Sequence, residues 1–528
     1  MKKVSKGIAF IGLLFASSIQ AQNNQGNDSA VISAISAVEW QSIQAQITSR
    51  GNVNIPDHAV LSGALAQTNY IKGRELLVGD NFGFNLNLSG DLMVVGAPLD
   101  DSAGVDNGGN PLEERLTDSG AAYVFRRENN SWRMEAYLKA SNPGAGDRFG
   151  VDVDVDGSLI VIGANSEDSN TPGVNSEPNN SAANAGAAYV FEFINGSWQE
   201  VAYLKASNPD PEDAFGNSVA ISGRTVVVGA FLEDSSGFGV DSTPDNSTDA
   251  AGAAYIFSEI DGQWSQQAFL KASNTELGDE FGHAVAIFND TVVVSAFRED
   301  SGSVVINGFQ GNSSGSLFNG FGAVYVFQRQ GNRWEQQAYL KPPELDRVDR
   351  FGSSVAIFED TIVVGTSEED SDASLVNGDF FNNNAINSGA AYVFRRNRAN
   401  TWFYSGYIKA ENSGAGDEFG ISVDVSSEFI VVGARFEDGS NNVANGEDNN
   451  DVENSGAAYV YQFIDNDIEL VSVLKSSSPD ISDAFGSSVS VSGNGVLVGA
   501  PFEDSDTIVI NGDQSNNDAL DTGAAFSI

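Results

Sequence analysis

The chain contains no cysteine, only two histidines and few basic residues. Without cysteine there can be no disulfide, no thiolate metal site and no cysteine nucleophile. His58 and His283 alone give little material for a zinc site or a proton relay. Lysine and arginine number 27 against 72 acidic residues, so the 528 residues carry a formal charge of −45. This charge repels nucleic acids and anionic membrane surfaces, and neither is expected as a partner.

Long hydrophobic runs are also missing, and one short run near the start of the chain stands out. Lys2 and Lys3 precede an apolar stretch over residues 8–16, which is too short to span a bilayer. Small and polar residues then lead to Ala21. This layout is typical of a secretory signal peptide over residues 1–21. We therefore expect export to the periplasm or the medium and no membrane span, while residues 22–60 give no definite prediction.

What the sequence does contain is a repeat built on ample apolar residues, 41% of the total. Each Phe-Gly pair has an aspartate two positions earlier and a small-residue step 14 positions later. A GAAYVF segment or a near variant follows in every unit. The pairs begin at Phe82, Phe149, Phe215, Phe281, Phe351, Phe419 and Phe485. Seven copies in register indicate a repeat architecture.

Each unit is predicted to form four short strands. In the third unit these are residues 215–222, 225–229 and 253–257 and a segment that contains Trp264. No segment after residue 21 shows a sustained helical period. Four strands repeated seven times predict an all-β fold, a seven-bladed β-propeller of four-stranded blades over residues 61–528. The seventh unit has no fourth strand of its own, so we expect an N-terminal strand to complete it and close the ring.

The Phe-Gly step and the Gly-Ala-Pro step, the latter intact at residues 96–98 and 499–501, resemble the FG-GAP repeat family. That repeat builds the seven-bladed propeller of integrin α-chains. The resemblance covers roughly residues 65–528. It implies a binding or adhesion module, often loaded with calcium, rather than an enzyme.

The first turn of each unit departs from that family. Calcium loops of the family have the form D-x-D-x-D-G-x-x-D at this turn, whereas the turn here is mostly a two-residue step. Only Asp152, Asp154 and Asp156 imitate the pattern, and Ile160 stands where the last carboxylate belongs. We therefore interpret the segment as a strand with polar outward positions.

Most variation in repeat length lies in one loop, between the predicted second and third strands. Loops on a rigid scaffold usually carry binding function. From the second unit on, an acidic pair opens this loop, and Asn or Asp follows the second acid after seven and after twelve residues. The candidate metal ligands at these three offsets are Asp168, Asn175, Asn180, Asp234, Asp241, Asn246, Asp300, Asn307, Asn312, Asp370, Asn377, Asn382, Asp438, Asn445, Asn450, Asp504, Asn511 and Asn516.

Two interpretations of these side chains remain open. Oxygens at fixed offsets in a glycine-rich loop suit calcium, which binds six to eight of them. Asn and Asp also hydrogen-bond their own backbone and tolerate left-handed conformations, which a long ordered loop requires. Calcium binding is therefore one expectation, and an internal network of turns is the other.

Other recurring residues are interpreted as framework. The fourth-strand lysines, such as Lys205, are expected to pair with repeat carboxylates. The aspartate before each Phe-Gly pair is expected to cap a turn, and tryptophans such as Trp264 to pack within the blades. His283 is expected to be a lone solvated side chain.

These features favour a secreted, monomeric, non-catalytic propeller that binds an extracellular protein or glycan through its loops. An enzyme with a site at the propeller mouth is one alternative, and it predicts a cluster of residues that breaks the repeat. The fourth-unit loop, with Phe309, Phe318 and Phe321, comes closest but contains no acid, base or nucleophile cluster, so it is interpreted as a contact patch. A structural surface protein without a specific ligand is the other alternative.

Overall fold

The structure is a computed structural model that describes residues 65, 67–74, 76–104, 116–311, 320–344, 346, 348–439, 450–464 and 467–528. The chain divides into two units, residues 1–63 and 64–528, and the described residues all belong to the second. The predicted signal peptide, residues 22–60 and the candidates Asn312 and Asn445 lie outside the described residues.

The described residues form strands and no helix, so no helix of theirs could cross a membrane. In chain order the strands are β1 (Asn69–Ile71), β2 (Leu86–Ser89), β3 (Leu92–Ala97), β4 (Ala121–Glu128), β5 (Ser131–Leu138), β6 (Val153–Asp156), β7 (Leu159–Ala164), β8 (Ala187–Ile194), β9 (Ser197–Leu204), β10 (Val219–Ser222), β11 (Thr225–Ala230), β12 (Ala253–Ile260), β13 (Gln263–Leu270), β14 (Phe281–Phe288), β15 (Thr291–Ala296), β16 (Ala323–Gln330), β17 (Arg333–Leu340), β18 (Ser354–Phe358), β19 (Thr361–Thr366), β20 (Ala390–Arg396), β21 (Trp402–Ile408), β22 (Phe419–Val425), β23 (Phe429–Ala434), β24 (Ala457–Ile464), β25 (Asp467–Leu474), β26 (Ser488–Ser492), β27 (Gly495–Ala500) and β28 (Ala524–Ser527).

These strands form seven antiparallel blades of four strands each. Blades 1 to 6 contain β2–β5, β6–β9, β10–β13, β14–β17, β18–β21 and β22–β25. Blade 7 contains β26, β27 and β28, and β1 is its fourth strand, with Tyr70 opposite Phe526. The prediction of an all-β seven-bladed propeller is confirmed, and the N-terminal strand closes the ring as expected.

The hydrophobic core lies between neighbouring blades. All six residues of β11 are buried, because this strand has a partner on both edges and a blade on both sides. The core between blades 2 and 3 combines Val161 with Phe215 and Tyr255. The rings of Phe215 and Tyr255 meet edge to face at 5.3 Å. The Phe of each Phe-Gly pair is therefore a core residue.

The glycines of the two repeat steps allow adjacent blades to approach each other closely. Gly216 has φ +91°, and a Cβ added there would lie 2.1 Å from the carbonyl oxygen of Ala187. A Cβ added at Gly163 would lie 2.0 Å from the carbonyl oxygen of Gly216 itself. The Phe-Gly step of one blade thus packs against the Gly-Ala step of the preceding blade, which explains why the two motifs recur together.

The tryptophans occupy a framework position, as predicted. Trp132, Trp334 and Trp402 are buried in fourth strands. Trp198 and Trp264 are partly buried and pack against the core clusters next to them.

Candidate functional site

The long loops between second and third strands are held to their blades by a buried ion pair. In blade 2, Lys205 Nζ lies 2.9 Å from Glu167 Oε2, and both side chains are almost completely buried. Tyr203 and Ser169 donate hydrogen bonds to the same carboxylate. The other pairs are Lys72–Glu503, Lys139–Asp100, Lys271–Glu233, Lys341–Glu299, Lys409–Glu369 and Lys475–Glu437. The expected pairing of the repeat lysines is confirmed.

Burial dominates the electrostatics of these pairs. It lowers the pKa of the Lys205 ammonium, while the negative charge of Glu167 acts in the opposite direction. The first acid of each loop is therefore a structural partner of the lysine and is not available to a ligand.

In blades 2, 3, 5, 6 and 7, the second acid of the loop accepts a hydrogen bond from the returning chain. Asp168 Oδ1 lies 3.0 Å from the backbone nitrogen of Asn184, which has φ +54°. The carboxylates of Asp234, Asp370, Asp438 and Asp504 make the same contact in their loops.

The Asn or Asp seven residues further on binds the outer strand. Asn175 has φ +53°, its backbone nitrogen donates to the Tyr203 carbonyl at 2.8 Å, and its Oδ1 accepts from the Tyr203 nitrogen at 2.9 Å. Tyr203 belongs to the outermost strand, whose outer edge would otherwise be unpaired, so the loop covers part of that edge. The same bridge is formed by Asp241, Asn307, Asn377 and Asn511.

The third predicted position is occupied differently from blade to blade. Asn382 and Asn516 accept hydrogen bonds from backbone nitrogens within their loops. In blades 2 and 3, however, Asn179 and Asp245 make this contact. The neighbouring Asn180 and Asn246, which the sequence offset selected, are exposed. Those two loops are one residue shorter than the loops of blades 5 and 7, and that shift was visible in the sequence.

The two remaining candidate ligands, Asp300 and Asn450, do not bring further oxygens to a common point. Asp300 interacts with neighbouring groups, and Asn450 is exposed with φ +43°. Among the described residues there is no group of three or more acidic or histidine side chains placed to hold a metal ion. The three candidates of a single loop have different backbone partners rather than a common centre. Calcium binding stays a prediction.

The loops gather most of the exposed apolar side chains on one face of the propeller. Because the strands are antiparallel, the loops between second and third strands lie on the same face as the connections between blades. We call this the loop face. Among the described residues, the exposed large apolar side chains that lie elsewhere are Ile260 and Phe403. Those within the loop-face segments are Leu77, Val78, Phe84, Phe238, Leu277, Val304, Val305, Phe309, Val348, Leu375, Phe381, Ile386, Ile481, Phe502, Ile508, Val509 and Leu520.

Of the described residues, the most exposed aromatic side chains lie in the loops of blades 3, 4 and 5. Phe309 is 83% exposed, and Phe238 and Phe381 are each 69% exposed. Phe381 stacks on Phe380, which in turn contacts Tyr407 of the outer strand. Phe321 is partly buried against the core, and Phe318 lies outside the described residues. Of the contact patch predicted in the fourth loop, the structure shows Phe309 exposed and Phe321 packed against the core. The fifth loop adds the stacked pair Phe380 and Phe381, which the sequence does not predict.

A channel with a volume of about 850 Å³ runs through the centre and is lined by the innermost strands. Asp152 directly precedes β6, and Asp154 lies within this strand. Their carboxylates accept hydrogen bonds of 2.6 Å from the backbone nitrogens of Val219 and Ile221 in the next blade. Desolvation in the channel wall raises the pKa of both carboxyls to about 7. The interpretation of this segment as a strand is confirmed.

The same side chain to backbone contact recurs around the channel. Val285 donates to Ser218 Oγ, Val491 to Asp424 and Leu88 to Ser490 Oγ, the last across the closure between blades 7 and 1. The innermost strands present an edge to the channel without a strand partner, and in β2, β10, β14 and β26 side chains of the preceding blade accept hydrogen bonds from N–H groups of that edge.

The aspartate before each Phe-Gly pair caps a turn, as predicted. Asp213 Oδ2 lies 2.9 Å from the backbone nitrogen of Asp210. Burial, together with the nearby charge of Glu233, raises the pKa of Asp213 to about 8. The equivalent contact is made by Asp80, Asp147, Asp279, Asp349, Asp417 and Asp483.

The prediction for His283 is wrong. The side chain is half-buried in the channel wall and stacks on Phe297, with ring centroids 3.8 Å apart. Burial, reinforced by the positive charges of Arg298 and Arg350, lowers the pKa of His283 to about 4. The repeat position did not indicate this, because the ring packs on a residue 14 positions further along the chain.

Comparison with known families gives a match to the repeats themselves. The family model described as FG-GAP repeat matches residues 75–125, 132–191, 198–257, 264–327, 334–394, 402–461 and 471–526. These ranges extend over more than half of the chain. No curated protein matches it.

Proposed function

The chain belongs to the FG-GAP repeat family, and from this premise we propose that it is an exported, non-catalytic propeller whose loop face binds an extracellular protein or glycan. The family supports a binding or adhesion role in general. Export is proposed from the signal-peptide layout of residues 1–21. The non-catalytic role is proposed because repeats occupy nearly all of residues 65–528 and the candidate loop acids serve the scaffold.

The one-sided distribution of exposed apolar side chains carries this proposal. Apart from Ile260 and Phe403, every exposed large apolar side chain among the described residues lies in a loop-face segment. Apolar groups concentrated on one surface mark interaction sites more often than scattered ones do. Aromatic residues such as Phe309 and Phe381 provide large contact areas at small cost in side-chain entropy.

The test compares two variants in which serine replaces exposed apolar side chains, on the loop face in one variant and outside it in the other. The loop-face variant is Phe309→Ser, Phe381→Ser and Val509→Ser, and the control variant is Ile260→Ser and Phe403→Ser. Binding of each labelled protein to cells and extracellular matrix of the source organism is measured by titration. We expect the loop-face variant to bind at least about tenfold more weakly, since about 1.4 kcal/mol of lost contact energy gives that factor.

The control variant should bind as the unchanged protein does. Equal losses in both variants would contradict a specific loop face. No saturable binding by any of the proteins would support the structural alternative instead.

We further propose that calcium stabilises the loops. An aspartate such as Asp168 retains acceptor capacity beyond its one backbone hydrogen bond, and calcium prefers such oxygens. Thermal unfolding is measured with EDTA and then with millimolar calcium or magnesium. Calcium at about 100 times its dissociation constant adds ~2.7 kcal/mol for each site, so a calcium-specific rise in Tm is expected. An unchanged Tm would leave these oxygens with their backbone partners alone.

A further inference from the structure

Ion pairs recur on the loop-face rim of the channel in blades 4, 5 and 6. Each joins the residue before a Phe-Gly pair to a residue two or three positions after the small-residue step. In blade 5, Arg350 Nη1 lies 2.8 Å from Glu368 Oε1. In blade 6, Arg435 Nη2 lies 2.7 Å from Glu418 Oε2, and Arg298 pairs with Glu280 in blade 4. An arginine on this rim is thus normally provided with a carboxylate.

Blade 2 has the arginine of such a pair but no carboxylate. Arg148 occupies the position of Arg350, and Ser166 occupies the position of Glu368. Ser166 Oγ donates to Asn165 Oδ1 at 3.1 Å and offers Arg148 no charge. Arg148 is exposed and lines the channel, and no carboxylate pairs with it among the described residues. Blade 2 therefore presents the guanidinium of Arg148 at the channel mouth without the carboxylate that the corresponding arginine of blade 5 has.

The surroundings of Arg148 are polar and concave. The amides of Asn165 and Asn217 line the same channel as Arg148 and hydrogen-bond to each other at 3.1 Å, and each retains further donor or acceptor capacity. Phe84, 41% exposed, adds an apolar surface to the same lining. A cavity of this volume is large enough for a sugar unit.

We propose that the mouth of the channel at Arg148 binds a carboxylate-bearing sugar, a uronic acid unit of a glycan. The ligand's carboxylate takes the place that Glu368 fills in blade 5 and pairs with the guanidinium in the bidentate manner that suits arginine. Its hydroxyls meet the amides of Asn165 and Asn217, while Phe84 contacts its less polar face. The amides and serine hydroxyls that line the channel can pair with the hydroxyls of a sugar, which the acidic side chain of a protein partner does not provide. The proposal uses none of the three apolar side chains, Phe309, Phe381 and Val509, that the loop-face variant removes.

Two variants test the site, one by removing its positive charge and the other by adding a carboxylate that pairs with it. Arg148→Ala removes the guanidinium, and the backbone accepts this change because Ala214 and Ala484 hold the same repeat position at φ +55° against +57° for Arg148. Ser166→Glu keeps Arg148 but adds the carboxylate that blade 5 has, so the chain itself fills the site. Arg127→Ala is the control, since it removes one positive charge from a pair with Asp91 in the first turn of blade 1.

Binding of trigalacturonate to the full chain is measured by isothermal titration in about 0.15 M salt, which screens the long-range charge of the protein. Maltotriose, an uncharged trisaccharide, and the tripeptide Gly-Glu-Gly are titrated alongside. We expect saturable binding of trigalacturonate only, weakened at least about tenfold by Arg148→Ala and by Ser166→Glu, and unchanged in Arg127→Ala and in the loop-face variant.

Several results would overturn the proposal. These are no binding of trigalacturonate, binding that either site variant leaves intact, and equal binding of maltotriose. Binding of Gly-Glu-Gly alone would replace the sugar with a protein partner. Because the loop-face variant is expected to bind trigalacturonate normally, failure of this site and failure of the proposed loop-face contacts can be told apart.

Discussion

At the scale of single residues, the buried lysine–carboxylate pairs decide whether a loop stays attached to its blade. Lys271 and Glu233 are almost completely buried with Nζ and Oε2 2.9 Å apart, and Asn208 and Ser235 also donate to the carboxylate. The pair itself adds little compared with a packed apolar pair, but each partner makes the burial of the other tolerable. Loss of one partner is therefore expected to matter more than loss of both.

We predict that Lys271→Met lowers the free energy of unfolding by about 3–5 kcal/mol, because Glu233 is left as an unpaired buried charge. Adding Glu233→Gln to Lys271→Met should recover part of the loss. Calorimetric unfolding of the full chain measures both. The control is Arg133→Met, which breaks an exposed pair with Glu128 and should change stability by less than about 1 kcal/mol. Equal effects of Lys271→Met and Arg133→Met would contradict the role of the buried pair.

The capping aspartates give the protein a pH dependence of stability. Burial raises the pKa of Asp213, Asp349 and Asp483 to about 8, whereas in the unfolded chain an aspartate titrates near 4. Between these values the folded state binds more protons than the unfolded state. The stabilising contribution is therefore fully present below pH ~4 and is lost as the pH rises through about 8.

We predict that replacing all three aspartates by asparagine flattens the fall in stability between pH 5 and 8. The slope removed should be at most about 1.4 kcal/mol per pH unit for each group. Tm is measured as a function of pH for the triple variant and the unchanged protein. Parallel curves would show that these carboxyls titrate normally in the folded state.

At the scale of the strand, the close approach of adjacent blades depends on glycine. We predict that Gly216→Ala destabilises the protein by more than about 3 kcal/mol, since the new Cβ meets the Ala187 oxygen at 2.1 Å and φ is +91°. Gly223→Ala, in the first turn of blade 3, has a φ of +56° and open space around the Cβ. It should cost only about 1–2 kcal/mol. Urea midpoints of the two variants check this, and similar midpoints would argue against a tight seam between blades.

The strands could be predicted from the sequence because their pattern is local. The strand predicted at 225–229 matches β11 closely, whereas of the strand predicted at 215–222 only the alternating part, residues 219–222, forms β10. The pattern of each strand also recurs in seven repeats, so a pattern that is weak in one repeat is supported by the others. For the loops, the residue types indicated turns correctly, but the fixed offset selected Asn180 where Asn179 makes the contact. A one-residue difference in loop length was enough to shift the partner.

The residues of the channel mouth could not be placed from the sequence for a different reason. Arg350 and Glu368 are 18 positions apart, and nothing local connects them. The sequence predicts a solvated His283, because the neighbours of this residue along the chain carry no information about the ring of Phe297, which packs against it. Contacts of this kind depend on how the start of one strand meets the end of another, and only the folded blade shows them.

At the scale of the whole molecule, the short strand β1 holds the ring closed. Tyr70 and Ile71 are completely buried, and Lys72 joins Glu503 in the seventh copy of the buried pair. Each apolar side chain buried in this way contributes about 1.5–3 kcal/mol. Without β1, the edge of β28 would be open to pairing with another chain.

We predict that a variant lacking residues 22–72 aggregates and loses protection from hydrogen exchange in β28 and β27. A matched variant lacking only residues 22–60 keeps β1 and should retain that protection. Exchange is followed by mass spectrometry on peptides from residues 495–528, and aggregation by light scattering. Unchanged protection in the longer deletion would mean that blade 7 is stable with three strands.

The hydrogen bonds around the channel bear on how such a gene can diversify. The donor and acceptor of such a bond, for example Val219 and Asp152, lie 67 residues apart at the innermost strands of consecutive repeats. Across the closure of the ring, Leu88 and Ser490 lie 402 residues apart. Aspartate and serine both serve as acceptors, so unequal crossing-over between repeats exchanges one acceptor for another and leaves the ring intact. Insertions and deletions accumulate in the loops on one face, where they do not alter the packing of one blade against the next. Recombination can therefore renew the loop face repeatedly while the interior is inherited unchanged.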